Sequence, residues 1–119
     1  MRIDKDLVAA SATPLVLGIL ADGDLHGYAI LKRVDELSGG RMQWTDGMLY
    51  PLLHRLERNG LVRATWGLSE AGRRRKHYAL TPAGQEALAQ RRAQWEVVSD
   101  ALHQVWSALP APRAAEAWA

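Results

Sequence analysis

Apolar residues recur at helical spacing in three stretches before position 60, alternate along two short stretches up to position 81, and then return every seven residues. The first stretch holds Leu7, Val8, Leu15, Val16, Leu17, Ile19 and Leu20. Thr13-Pro14 pairs an N-cap residue with proline at a first helical position, which predicts a helix from 14 to 21. Residues 4–12 form either a preceding turn or a continuous, kinked helix. A second helix opens at His26 or Gly27 and carries Tyr28, Ile30, Leu31, Val34 and Leu37 on one side. Ser38-Gly39-Gly40 stops it.

In the third stretch, "GMLYPLLHRLERNG", Leu49, Leu52, Leu53 and Leu56 follow the i, i+3, i+4, i+7 pattern of one helical face. The side-chain oxygen of Thr45 or Asp46 can cap this helix, and Pro51 then lies just past the first turn, where a missing N–H does limited damage. Asn59-Gly60 ends it. "LVRATW" (61–66) and "RKHYAL" (75–80) are predicted strands of a β-hairpin, with Lys76, Tyr78 and Leu80 on one face. Thr81-Pro82 repeats the cap-plus-proline signal and starts a last helix.

In that helix Leu88, Trp95, Leu102 and Leu109 are seven residues apart, with Val98 and Val105 between them and Arg91 breaking the pattern at its start. Such an a/d seam suits a dimer interface. A helix of this length extends to about 40 Å, more than a small domain can cover, and an exposed apolar stripe marks an interface. The order of elements is a helix-turn-helix followed by a hairpin: a mainly α, winged helix-turn-helix unit with a long C-terminal dimerisation helix. The expected divisions are a DNA-binding domain at 1–81, a dimerisation helix at 82–110 and a flexible tail at 111–119.

Charge sharpens this picture. The net charge is only +2, yet residues 41–81 hold eight Lys/Arg against three Asp/Glu, and the flanking segments are mildly acidic. A localised basic face is the footprint of a nucleic-acid surface. In the winged plan the third helix enters the major groove and the hairpin lies along the backbone or minor groove. Gly47, Met48 and Tyr50, near the N-terminal end of that helix, are the candidates for base edges, with Thr45, Pro51 and His54 as further DNA-contact candidates. Arg55 and Arg58, further along, suit phosphates, which position without specifying. Arg73, Arg74, Arg75 and Lys76 form a run placed at the hairpin tip, suited to phosphate or minor-groove contact.

The chain has no cysteine, which excludes disulfides and thiolate metal sites. Its four histidines show no zinc spacing, and neither a catalytic Ser/His/Asp set nor a phosphate-binding glycine loop stands out. No metal, no cofactor and no enzymatic activity are expected. No apolar run approaches the roughly 18–20 residues that span a bilayer, so a cytoplasmic protein without membrane partners is expected.

The segments "PLVLGILADGDLHGYAI" (14–30), "GMLYPLLHRLERNGLV" (47–62) and "GRRRKHYALTPAGQEAL" (72–88), together with Trp95, resemble the PadR family of transcriptional regulators, in its compact subgroup with a single C-terminal helix. Gly47-Met48 departs from the small hydroxyl-bearing residues common before "LYP" in that family. The resemblance implies a homodimeric repressor on a pseudo-palindromic double-stranded DNA operator, dimerised by its last and N-terminal helices. It also raises a small planar aromatic effector at the dimer interface, with Trp95, Val98 and Leu15 as candidate contacts. Two alternatives stay open: Trp95 merely fills the seam, or the whole is a winged-helix protein-interaction module that binds no DNA.

Overall fold

The computed structural model describes residues 1–110, so the tail expected at 111–119 lies outside the described residues. The order is α1 (Lys5–Ala21), β1 (Leu25–His26), α2 (Gly27–Ser38), α3 (Asp46–Arg58), β2 (Val62–Leu68), β3 (Arg74–Leu80) and α4 (Pro82–Ser107). The strands form one antiparallel sheet in the order β1-β3-β2. The short β1 adds to the expected hairpin, pairing Leu25 with Tyr78 and His26 with His77. Two residues are too few to show an alternation in sequence.

The core of the first compact unit, residues 1–89, joins Val16, Leu17 and Leu20 of α1, Ile30 of α2, all four leucines of α3, and Val62 and Tyr78 of the sheet. The α3 prediction holds, and the helix runs through Pro51. Its N-cap differs from expectation. Thr45 occupies the position, but its hydroxyl makes no cap bond; its carbonyl accepts from the Met48 and Leu49 amides at 3.1 and 3.0 Å. On α2, Ile30 and Val34 are buried, whereas Tyr28 and Leu37, expected on the same side, are 70% and 52% exposed. Tyr28 precedes Ile30 by two residues and therefore falls on nearly the opposite side of a helix with 3.6 residues per turn. Gly39, at φ 61°, ends α2 in the left-handed conformation that glycine adopts without strain.

The two Thr-Pro signals have different outcomes. Thr13-Pro14 starts nothing: α1 already runs from Lys5, and Pro14 sits inside it. Residues 5–12 favour helix and are anchored by buried Val8, so the proline costs only the amide that would reach the Ala10 carbonyl. Thr81-Pro82 does start α4. The Thr81 hydroxyl accepts from the Gly84 amide at 3.0 Å and donates to the Gly60 carbonyl, and the Thr81 amide donates to the Leu61 carbonyl at 3.1 Å. One residue thus caps α4 and ties it to the turn between α3 and β2.

Gly84 completes that junction. A Cβ here would run into the Leu61 carbonyl oxygen and approach Leu80 Cδ2 at 3.0 Å. Leu88, expected on the dimer seam, packs with Ala87 against the core of its own unit. The second compact unit begins at Gln90, within the same continuous helix. That helix stops at Ser107, so the seam's last residue, Leu109, lies beyond its end, although its amide still reaches the Trp106 carbonyl at 3.1 Å. Pro110 accounts for this, because the residue before a proline is pushed out of the helical region.

Gly84→Ala should destabilise the protein by about 1–3 kcal/mol through this overpacking, although alanine is the better helix former. Chemical denaturation checks it, and unchanged or raised stability would contradict the close approach.

Candidate nucleic-acid interface

With its leucines buried, α3 must turn its other residues outward. Thr45, Gly47, Tyr50, Pro51, His54, Arg55 and Arg58 are exposed, and Met48 is half-buried. The only salt bridge among the described residues joins Arg33 and Glu36 on α2. The cations of α3 and the hairpin are therefore not neutralised by carboxylates within ion-pair distance.

Seven of the predicted residues fall in two neighbourhoods, whereas Gly47, Pro51, Arg55, Arg58 and Arg73 line neither. Thr45 and Met48 line a cleft of about 500 Å³ shared with Arg2, Ile3, Lys5 and Val8 at the start of α1. Tyr50 and His54 line a second cleft, of about 360 Å³, whose far wall is the hairpin with Trp66, Arg74, Arg75 and Lys76. Tyr50 crosses the start of α2 so closely that a Cβ on Gly27 would collide with its ring and hydroxyl. The "HGY" motif thus places a residue without a side chain under an aromatic ring of α3. Burial, followed by the neighbouring Tyr50 and Glu57, raises the Tyr78 phenol above its ordinary range and keeps it neutral.

The basic run is not a loop tip. Ser69 closes the turn, accepting from the Gly72 and Arg73 amides through its carbonyl and hydroxyl at 2.9 and 3.1 Å. Arg74, Arg75 and Lys76 belong to β3, and only Arg73 lies in the turn. Strand pairing continues further outward than the expected limits of Trp66 and Arg75 because Gly67 opposes Arg75 and Leu68 opposes Arg74 in register. Alternation then splits the run. Arg74 and Lys76 point to the Tyr78 face of the sheet, where they lie 4.6 and 5.9 Å from the Trp66 ring. Arg75 points to the other face and meets His26 Nε2 at 3.0 Å.

His26 caps α2, its Nδ1 accepting from the Ala29 amide at 3.3 Å. A neutral imidazole has one acceptor nitrogen, so this cap and an accepted bond from Arg75 exclude one another. Desolvation, then Arg75 and His77, hold the His26 pKa below the ordinary 6.5. His26, Tyr28, Trp66 and His77 were not among the sequence candidates. The signal for Trp66 was its register opposite Lys76, which is readable only once the hairpin turn is placed.

On α4, Trp95 is half-buried, and Val98, Leu102 and Val105 are exposed; Leu109 beyond the helix is exposed as well. Trp106 is 56% exposed, stands eleven residues after Trp95 on nearly the same helical side, and meets the His103 ring edge-on. Leu15 is half-buried on α1.

Three helices, the last bare on one side next to a basic two-stranded wing, define a winged helix-turn-helix protein. Residues 16–90 match the family model of the transcriptional regulator PadR-like family, and the chain belongs to that family of transcriptional regulators. It is 39% identical over 88 residues to the transcriptional regulator Rv3488 of Mycobacterium tuberculosis, covering 73% of this chain and 78% of that one. A transposon-encoded protein of Streptomyces fradiae is 51% identical over 77 residues, covering 65% of this chain, which spans only 21% of that relative's length. Among solved structures, a transcriptional regulator from Clostridium thermocellum superposes with a TM-score of 0.77 at 27% identity, covering 86% of this chain and 96% of its own. Among the described residues, no helix is long and apolar enough to cross a membrane.

A His26 pKa held below 6.5 in the folded chain means that the unfolded chain binds more protons there. His26 therefore contributes stability that is present above about pH 6.5 and lost as the pH falls below it. His26→Asn keeps a capping side chain that does not titrate. Its thermal midpoint should fall less steeply than that of the wild type on acidification from neutrality, and parallel profiles would remove His26 as the cause.

Proposed function

We propose that this chain represses transcription as a homodimer, each subunit laying α3 in a major-groove half-site while the wing grips the adjacent backbone. The observation that carries this reading is that the outward side of α3 bears exposed Arg55 and Arg58, while Tyr50 and His54 of the same helix share a cleft with Arg74, Arg75 and Lys76 of the wing. Arg55 and Arg58 sit in the last turn of α3, while Tyr50 and the Gly47–Met48 step sit near the end that reaches base edges in this docking mode. Thr45, Pro51 and His54 complete that helix surface, and Arg73, Arg74, Arg75 and Lys76 supply backbone contacts. Half-sites should lie about 34 Å apart and be related by a pseudo-twofold. A gel shift with the DNA upstream of its own gene, followed by transcription in vitro, tests binding and sign together. Absence of any shift would favour a protein-interaction module, and stimulated transcription would make the chain an activator.

Each of Arg55→Ala, Arg58→Ala and Arg73→Ala should weaken binding similarly on all sequences and lower the slope of log K against log salt by about one unit. A salt titration with an unchanged slope would reject a phosphate role for that residue.

Exposed Val98, Leu102, Val105 and Trp106 on α4, with Leu109 just beyond it, support dimerisation, because a contiguous uncovered apolar surface marks an interface. Leu102→Glu should leave the far-ultraviolet spectrum intact and convert the dimer to a monomer in sedimentation. A wild-type chain that sediments as a monomer at micromolar concentration would overturn the dimer. A planar aromatic effector stacking on Trp95 would release the operator if it binds one dimer geometry better than the other. Calorimetry with such compounds, on the wild type and Trp95→Ala, tests this, with equal heats on both chains excluding Trp95.

A further inference from the structure

An exposed tryptophan is expensive to leave in water, and Trp66 is 59% exposed on β2, whose other exposed residues are Arg63, Thr65 and the terminal Leu68. Its ring has a specific environment. The Arg74 guanidinium lies 4.6 Å from the ring centroid and the Lys76 ammonium 5.9 Å, both within the range at which a ring quadrupole attracts a cation. The register explains why both converge on one indole. Lys76 is the direct cross-strand partner of Trp66, and Arg74 is the diagonal one, opposite Leu68. All three border the cleft to which α3 contributes Tyr50 and His54 and α2 contributes Tyr28. The remaining strand cation, Arg75, also borders this cleft but lies beside His26 Nε2, at 3.0 Å, rather than over the indole.

Long cationic side chains lose rotamer freedom when they engage a phosphate, and a ring that holds them beforehand removes part of that cost. We infer that Trp66 is a positioning residue, which holds Arg74 and Lys76 over the cleft between α3 and the wing so that both meet one phosphate strand passing there. The inference rests on the DNA-binding reading above. It adds a residue that carries no charge yet governs how well two charges act.

The test uses the full chain and a fluorescein-labelled duplex of random sequence, because phosphate contacts do not depend on sequence. Anisotropy is followed across a salt titration. Trp66→Leu, which keeps apolar bulk without an aromatic ring, should bind about five- to thirtyfold more weakly at low salt. Trp66→Phe should recover most of that loss. In the Arg74→Ala/Lys76→Ala background, Trp66→Leu should change affinity by less than about twofold, because the groups through which it acts are gone. The thermal midpoint of Trp66→Leu should stay near that of the wild type, since little of the ring is buried. Wild-type affinity in Trp66→Leu overturns the inference, and so does an undiminished loss in the Arg74→Ala/Lys76→Ala background, which would mean that the indole touches DNA itself. A wild-type chain that binds no duplex at low salt would instead defeat the DNA-binding reading.

Discussion

Four leucines on one side of α3 fix the orientation of the surface on which the rest of the molecule depends. Leu49, Leu52, Leu53 and Leu56 are all within the core, and burying each is worth roughly 1.5–3 kcal/mol relative to exposure. A helix held this firmly cannot roll about its axis, so Tyr50, His54, Arg55 and Arg58 have no alternative to facing outward. The same constraint places Tyr50 over Gly27 and near Tyr78, which links the bare side of α3 to the start of α2 and to the sheet. Pro51 is compatible with this arrangement because the carbonyl it leaves without a donor belongs to Gly47, in the first turn.

The sheet and the last helix are secured by a few local bonds. Thr81 joins the turn after α3 to the first turn of α4, and Gly84 permits the backbone of Leu61 to approach. Leu88 then contributes to the core of the first unit, and the exposed apolar residues of the helix begin further along, at Val97 and Val98. The helix thus starts as part of a packed domain and continues with exposed apolar residues, which is the observation behind the proposed dimer.

Much of this was legible in the chain itself. The α3 stripe, the glycine stop of α2 and the Thr81-Pro82 start of α4 rest on patterns within a few residues, which periodicity and capping chemistry report directly, and the hairpin showed as two β-prone stretches around a glycine-bounded loop. Thr13-Pro14 carried the same local signal as Thr81-Pro82 but a different neighbourhood. A strand bonded to its partner precedes Thr81, whereas residues able to continue a helix precede Thr13. Tyr28 and Leu37 matched the apolar composition of the α2 side, yet the core does not extend to them.

The sequence by itself determined that α2, α3 and α4 are helices and that a hairpin follows α3, which side of α3 must be buried, and that positive charge gathers in the middle third. Only the tertiary structure decided how that charge is divided. The run Arg73–Lys76 is continuous along the chain, but strand alternation sends Arg74 and Lys76 to Trp66 and Arg75 to His26. The physical reason is that a side chain's direction within a strand depends on register, and register is set by pairing with residues distant in sequence. Leu25 and His26 show the same dependence, for they are a strand only because Tyr78 and His77 lie beside them.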